Sequence, residues 1–195
     1  MQKNPPIILA STSPRRRDLL LQIGLDFTID PADVDERALP DEPPETYAVR
    51  VALDKARVAA RRADAGIIIA ADTIVVLDDA VLGKPSDLKD AERMLSMLSG
   101  KMHRVITGLA VMDAATGRAL TRSSITNVWF RDLFPEDIAW YVRTGEPLDK
   151  AGAYGIQEKG ALLITRIEGC YFNVVGLPLS VLFEMLRELG INLLL

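Results

Sequence analysis

Cysteine and histidine are scarce in this sequence, which contains one of each among its 195 residues, Cys170 and His103. A lone cysteine cannot form a disulfide within the chain, and one histidine with one cysteine cannot build a zinc cluster. This usage is typical of a reducing compartment, so we expect a cytoplasmic protein. The apolar stretch after Pro6 is too short for a signal peptide or a membrane-spanning helix, which favours the same expectation.

A basic excess is also missing, because the formal net charge is -4 at pH 7. Binders of nucleic acid or of membrane surfaces usually carry an overall or regional basic excess, so the composition argues against both. Any anion site must therefore be local. With 49% hydrophobic residues and no repeat or linker, residues 1–195 are expected to form a single domain with room for two lobes.

Three consecutive arginines, 15–17, follow Ser13-Pro14 at the start of a predicted helix. Serine at the cap and proline at the first position mark a helix start, where exposed N–H groups favour acidic side chains. Arginines there repel the helix end unless an anion binds to it. We interpret this turn as a polyphosphate site, and the alternative is a solvated basic turn that Asp18 partly offsets.

Apolar periodicity and turn residues predict alternating strands and helices, as in an α/β fold. Strands are predicted over 7–10, 27–29, 67–71, 74–77, 104–112, 123–130 and 161–167. Helices are predicted from 14 to about 23, over 45–62, from about 87 to 99, over 135–143 and over 178–189. Asp72 and Thr73 are expected to interrupt the third strand, and Ser86 is expected to cap a helix.

A carboxylate at position 72 directly follows the apolar run 67–71. Burial of such a group needs lysines, water or metal to offset its desolvation. Asp72 is therefore a candidate general base or Mg²⁺ ligand, and the alternative is an aspartate that caps a turn. Lys55 on a helix and Lys84 in a Gly-Lys-Pro loop are candidate phosphate-binding cations. Taken in isolation, Lys55 is better explained as a solvated helix lysine, whereas a plain turn lysine explains Lys84 equally well.

Several short motifs, taken together, strongly resemble those of the Maf family. They are Leu9-Ala10-Ser11-Thr12-Ser13-Pro14-Arg15-Arg16, Ala71-Asp72-Thr73, Gly83-Lys84-Pro85, Tyr154-Gly155-Ile156-Gln157 and Asn173-Val174-Val175-Gly176-Leu177-Pro178-Leu179. The resemblance spans nearly the whole chain. It implies a two-lobed α/β fold with a mixed sheet, similar to inosine triphosphate pyrophosphatases, with the active site in the cleft between the lobes. It also implies hydrolysis of a nucleoside triphosphate to the monophosphate and pyrophosphate, with a divalent cation, Mg²⁺ or Mn²⁺.

The same resemblance implies roles for the matching residues. Asp72 is implied as the catalytic proton acceptor, and Glu36 is predicted as the metal-binding carboxylate in preference to its neighbour Asp35. Substrate binding is implied for Ser11, Ser13, Arg15, Arg16, Lys55, Thr73, Lys84 and Gln157.

Base choice is implied by Arg15, Thr73 and Gln157, which match family members that hydrolyse dTTP and UTP. The amide of Gln157 offers both an acceptor and donors to the imide edge of thymine or uracil. Glu158 departs from the family, which usually has glycine after this glutamine. We therefore predict hydrolysis of dTTP, UTP and modified pyrimidine nucleotides, and the alternative within the family is 7-methyl-GTP.

The expected partners are the nucleotide substrate and a second copy of the chain, without nucleic acid or membrane. A trailing run of leucines, 193–195, suits a subunit contact. A different class of function is a regulator of septum formation and cell division that binds nucleotide or protein without catalysis. A phosphotransferase is disfavoured, because no Gly-rich loop ends in Gly-Lys-Ser or Gly-Lys-Thr.

Overall fold

The computed structural model describes residues 5–193. The last two leucines of the predicted subunit contact, Leu194 and Leu195, lie outside the described residues. The strands are β1 (Ile7–Leu9), β2 (Thr28–Ile29), β3 (Ile67–Leu77), β4 (Ala80–Leu82), β5 (Met102–Asp113), β6 (Ala119–Phe130) and β7 (Ile164–Glu168). The α-helices are α1 (Pro14–Gln22), α2 (Pro44–Ala60), α3 (Leu88–Leu98), α4 (Pro135–Arg143), α5 (Tyr171–Val175) and α6 (Leu179–Glu188). Short 3-10 helices cover Glu146–Asp149, Ala151–Ala153 and Glu158–Leu163.

The strands form one mixed seven-stranded sheet in the order β2-β1-β3-β5-β6-β7, and β4 pairs with β3. Strand β1 runs parallel to both β2 and β3, with Leu9 opposite Ile69. Strand β4 is antiparallel to β3, and β7 is antiparallel to β6. Parallel pairing of β1 with β3 places Ala10, at the carboxyl end of β1, next to Ile69, where the Ala10 N–H donates to the Ile69 carbonyl over 2.8 Å. The α/β class with a mixed sheet, as predicted, is therefore confirmed.

Several local predictions are corrected by the structure. Asp72 and Thr73 do not interrupt a strand, because β3 runs unbroken through both. Asp87, not Ser86, caps α3, since its side chain accepts the Asp90 N–H over 2.8 Å. Strand β7 begins only at Ile164. Helix α5 was not expected from the sequence, since five residues are too few to show an amphipathic repeat.

The chain divides into two compact units. The first contains residues 5–72, 107–124 and 176–193. Its core includes a small-residue face of α2 that packs toward the sheet: Ala52, Ala56 and Ala59, with Ala10, Ala70 and Ala110. On β5, a side chain at Gly108 would collide with the backbone of Ala48, so glycine permits α2 to lie unusually close to the strand.

The second unit contains residues 73–106 and 125–175. Its core packs α3 and α4 with aromatic and aliphatic side chains from the sheet. The single histidine, His103, is fully buried there, and its Nε2 lies 2.7 Å from the Tyr154 hydroxyl. Phe130 and Tyr154 meet the imidazole edge to face, at 5.0 and 5.3 Å between centroids. His103 is therefore part of the core of this unit.

No helix within residues 5–193 combines the length and the apolar character needed to cross a bilayer.

Candidate active site

One lysine joins two carboxylates in the first unit. Lys55 Nζ lies 2.8 Å from Asp72 Oδ1 and 2.6 Å from Glu36 Oε1. The side chains of Lys55 and Asp72 are each only 11% exposed, whereas that of Glu36 is 56% exposed. An ion pair this well shielded interacts far more strongly than a solvated one. The structure thus places Lys55 in contact with Asp72, and the solvated-lysine alternative is wrong.

Helix α2 explains why Lys55 is buried. The buried positions of this helix are Ala48, Val51, Ala52, Lys55, Ala56 and Ala59, which share one face. Lysine on an otherwise apolar face is carried toward the sheet, where its ammonium needs a partner. Asp72, which lies on the central strand β3, provides that partner and has its own desolvation offset in return.

Arg16 is held beside these charges. Its Nε donates to the Gly176 carbonyl over 2.8 Å, and its Nη1 donates to Ser11 Oγ over 3.1 Å. Burial lowers the pKa of Arg16, as does neighbouring Arg15, whereas Asp72 and Glu36 oppose that change in pKa. Arg16 therefore lies within electrostatic range of both carboxylates, and Gly176, from the last motif of the resemblance, orients its guanidinium.

The start of α1 lacks the usual neutralising groups. Ser13 is the N-cap, Pro14 follows it, and the first turn contains no acidic residue. The Ser13 side chain makes no capping hydrogen bond within the described chain, while its N–H donates to Ser11 Oγ over 3.2 Å. A helix start of this kind favours the binding of an anion, because its backbone N–H groups point toward it. Arg17 pairs with its acidic neighbour Asp18 at 2.9 Å in solvent.

Asp35 and Glu36 are neighbours in the loop between β2 and α2, and only Glu36 contacts Lys55. Asp35 is bound by Arg37, whose Nε donates to Oδ1 over 2.9 Å. That side-chain hydrogen bond lowers the pKa of Asp35 to about 2. Glu36, not Asp35, contacts Lys55. The assignment of Glu36 to a metal stays a prediction.

Two residues of α2 that sequence reasoning missed fix this loop. The Tyr47 hydroxyl donates to the Glu36 carbonyl over 2.7 Å, and Arg50 Nη2 donates to the Arg37 carbonyl over 3.0 Å. Burial, with the charges of Asp72 and Glu36, raises the pKa of Tyr47 to about 12, so the phenol remains a donor at neutral pH. No local motif marks either residue, because their partners are carbonyls that any sequence supplies.

The remaining predicted site residues belong to the second unit. Thr73 is half-buried on β3 directly after Asp72, and Lys84 is exposed in the loop after β4. Gln157 is also exposed. Among residues 5–193, no side-chain hydrogen bond or ion pair engages Lys84 or Gln157. Both side chains are thus available to a ligand, and the structure does not join them to each other.

Glu158 adopts a left-handed backbone conformation, with φ of 53°. Glycine takes this conformation without steric cost, whereas glutamate does not. The strain gives a physical reason for the glycine that the family usually has after the glutamine.

A divalent cation can be tested against the donors present. Within the described part of the chain, no group of three or more histidine, cysteine or carboxylate side chains is placed to hold a metal. Glu36 and Asp72 nevertheless meet at the same ammonium. Mg²⁺ is commonly held by one or two carboxylates together with substrate phosphates, so this pair fits such an ion.

A mixed α/β sheet that carries a buried carboxylate–lysine pair beside an arginine-rich helix start defines an anion-binding α/β protein. More particularly, the chain belongs to the Maf-like protein family, whose model matches residues 6–189. It is 50% identical over 186 residues to a dTTP/UTP pyrophosphatase of Syntrophomonas wolfei, covering 95% of this chain and 98% of the relative. It is 48% identical to a dTTP/UTP pyrophosphatase of Geobacter metallireducens, covering 97% and 99% of the two chains. It is 49% identical to one of Methanosarcina mazei, covering 95% of each.

Proposed function

We propose that this protein hydrolyses dTTP and UTP to the nucleoside monophosphate and pyrophosphate. The observation that carries the proposal is the Lys55 bridge between Asp72 and Glu36, with Arg16 in electrostatic range of both. The relatives named as dTTP/UTP pyrophosphatases support the choice of reaction and substrate, because they match almost the whole chain. Modified pyrimidine nucleotides with the same imide edge are further substrates in this proposal.

Asp72 is the proposed general base. Lys55 engages Oδ1, so Oδ2 is the oxygen that remains to accept a proton from water. The hydroxide then forms a bond to the α-phosphorus as the bond to the pyrophosphate oxygen breaks. Lys55 holds the carboxylate in place, so the proposed base is positioned before the nucleotide binds.

The triphosphate is assigned to the cationic and hydroxyl groups. Ser11, Ser13, Arg15 and Arg16 surround the uncapped end of α1, where forked guanidiniums and backbone donors suit phosphate oxygens. Lys55 and Lys84 are proposed to add point charges. Transfer to a phosphorus centre depends mainly on such positioning and charge neutralisation.

A divalent cation, Mg²⁺ or Mn²⁺, is proposed to bind Glu36, with Asp72 as a second carboxylate. When bound, it would supply positive charge to the phosphates. Tyr47 and Arg50 support this role by fixing the loop backbone around Glu36.

Base choice is proposed to depend on Gln157, with Thr73 and Arg15. The resemblance assigns these positions, and the exposed amide of Gln157 has the acceptor and donors that an imide edge requires. Because the amide is exposed in the protein alone, a penalty for mismatched bases would arise only once the bound base covers it.

We further propose that the chain acts as one catalytic domain in the cytoplasm and as a homodimer, without nucleic-acid or membrane partners. The family resemblance supports these assignments, and a role in arresting cell division would then follow from nucleotide hydrolysis.

Product analysis with dTTP and Mg²⁺ tests the function directly. Release of pyrophosphate and dTMP in equal amounts is expected, and release of orthophosphate would contradict the proposed bond cleavage. A panel of dTTP, UTP, dCTP, GTP and 7-methyl-GTP then tests the base. If 7-methyl-GTP has the highest kcat/KM, the role of Gln157 is wrong while the reaction class stands.

A further inference from the structure

We propose that Tyr141 and Glu146 are positioning residues that close the loop 155–160 around Gln157 and thereby set base selectivity. This role rests on the proposed function, because it assumes that Gln157 contacts the base. Neither residue belongs to a motif on which the resemblance was based.

Both ends of the loop meet this pair of side chains. The Gly155 N–H donates to the Tyr141 hydroxyl oxygen over 3.2 Å, and the Tyr141 hydroxyl donates to Glu146 Oε1 over 2.9 Å. The Gly160 N–H donates to the same Glu146 oxygen over 3.3 Å. We call Tyr141 and Glu146 the loop clasp.

The loop is also closed sterically. A side chain at Gly160 would collide with the Gly155 carbonyl oxygen and would lie 2.7 Å from the Tyr141 hydroxyl. Glycine at position 160 therefore permits the two ends of the loop to touch. Between them, Gln157 is exposed and makes no side-chain hydrogen bond to the described chain, so its placement depends on the backbone that the clasp holds.

The clasp itself is built on a rigid support. Tyr141 is fully buried on α4, and burial strongly raises its pKa, so the hydroxyl keeps its proton at neutral pH. Glu146 follows Gly145, a left-handed residue with φ of 75° that turns the chain after α4. The Lys150 ammonium donates to the Glu146 carbonyl over 2.7 Å and fixes its backbone.

Stability alone does not explain the carboxylate at position 146. Glu146 Oε2 is buried and has no hydrogen-bond partner within the described residues, which is a cost to stability. A residue that incurs this cost while its other oxygen binds a tyrosine and a loop amide fits a positioning role better than a packing role.

The test compares Y141F, E146L and E146Q with Y154F as the matched control. Y141F removes the acceptor of the Gly155 N–H and E146L removes the acceptor of the Gly160 N–H. E146Q keeps an oxygen that can accept from Tyr141 and Gly160. Y154F also removes a buried tyrosine hydroxyl from the second unit, but that hydroxyl bonds His103. We expect Y141F and E146L to lower the ratio of kcat/KM for dTTP to kcat/KM for dCTP about tenfold, mainly by raising the KM for dTTP. In E146Q and Y154F the same ratio should stay within about twofold of that of the unaltered protein.

Hydrogen exchange tests the loop clasp independently of the proposed enzymatic function. Relative to Y154F, the Gly155 amide should exchange at least about tenfold faster in Y141F, and the Gly160 amide in E146L, whatever the substrate proves to be. Unchanged exchange in a folded Y141F protein would overturn the clasp even if dTTP is hydrolysed. Faster exchange with an unaltered preference for dTTP would overturn the role of the clasp in base selectivity. Absence of pyrophosphate release from the unaltered protein would reject only the proposed function.

Discussion

Lys55 Nζ lies 2.8 Å from Asp72 Oδ1, although 17 residues separate the two along the chain. The ammonium also holds Glu36, so one cation balances a buried carboxylate and an exposed one. A bound triphosphate would bring further negative charge to the same cation and to Arg16. The proposed base, its partner and the proposed phosphate-binding groups are thus coupled, and substitutions should separate their contributions.

D72N should abolish catalysis and largely preserve binding. Its amide oxygen can still accept a hydrogen bond from Lys55, but it cannot take a proton from water, so we expect kcat to fall about a thousandfold. The control is D64N, since Asp64 is an exposed aspartate in the turn between α2 and β3. Pyrophosphate release measures kcat, and calorimetric titration with a non-hydrolysable dTTP analogue measures binding.

The same variant addresses the regulator of septum formation. If that role is only binding, D72N should retain it in a cell-division assay, whereas a role through hydrolysis should be lost. Full activity of D72N in the pyrophosphate assay would reject Asp72 as the base.

K55M should destabilise the protein, because it leaves Asp72 buried without its main cation. Removing one partner of a buried pair is strongly destabilising, and we expect the free energy of unfolding to fall by about 2–4 kcal/mol. Urea unfolding of K55M, D72N and the double variant completes a cycle. A coupling energy above about 1 kcal/mol is expected, and additive effects would contradict a strong ion pair.

How much of this site the sequence predicts depends on how local each feature is. Helix α4 has the predicted bounds, since Pro135, the acidic first turn and Gly145 mark its two ends. The Asp72 prediction placed a charged residue at the end of a strand, because an isolated charge normally ends an apolar run. The strand continues because Lys55 offsets the desolvation of Asp72, and no pattern within β3 reveals that distant partner.

The residues that support the site were missed for a related reason. Tyr47 binds a backbone carbonyl and Tyr141 binds a backbone amide, so their partners have no side-chain signature in the sequence. The sequence hardly distinguishes Glu36 from Asp35, because the two carboxylates are adjacent in a loop and a shift of one residue exchanges them. In the structure, Arg37 binds Asp35 and leaves Glu36 to contact Lys55.

E36Q should weaken metal binding more than D35N does. Glu36 supplies a charged oxygen beside Asp72, whereas Asp35 is already engaged by Arg37, so the half-saturating Mn²⁺ concentration should rise about tenfold only in E36Q. Mn²⁺ binding can be followed by electron paramagnetic resonance without nucleotide, and by activity with dTTP. Equal shifts in the two variants would contradict a metal role specific to Glu36.

E158G should stabilise the protein. The left-handed conformation of Glu158 costs about 1–2 kcal/mol. Glycine relieves that strain but loses about 0.5–1 kcal/mol through the entropy of the unfolded chain, so the net gain lies between about 0 and 1.5 kcal/mol. E158A removes the same charge but keeps the strain, so it should gain nothing. Thermal unfolding compares the three proteins, and equal stability of E158G and E158A would mean that strain at position 158 is negligible.

Stability should fall as the pH drops below about 6.5, because burial lowers the pKa of His103 to about 4 from its usual 6.5. Above that usual value neither state binds the proton, so the full stability is present. Between the two pKa values the unfolded chain gains a proton that the folded protein excludes, so the free energy of unfolding falls by about 1.4 kcal/mol per pH unit and by about 3 kcal/mol in total. H103Q, whose amide can still bond the Tyr154 hydroxyl, should lose this slope. Urea unfolding at several pH values measures it, and the same slope in both proteins would assign the acid sensitivity to other groups, since His103 is the only histidine.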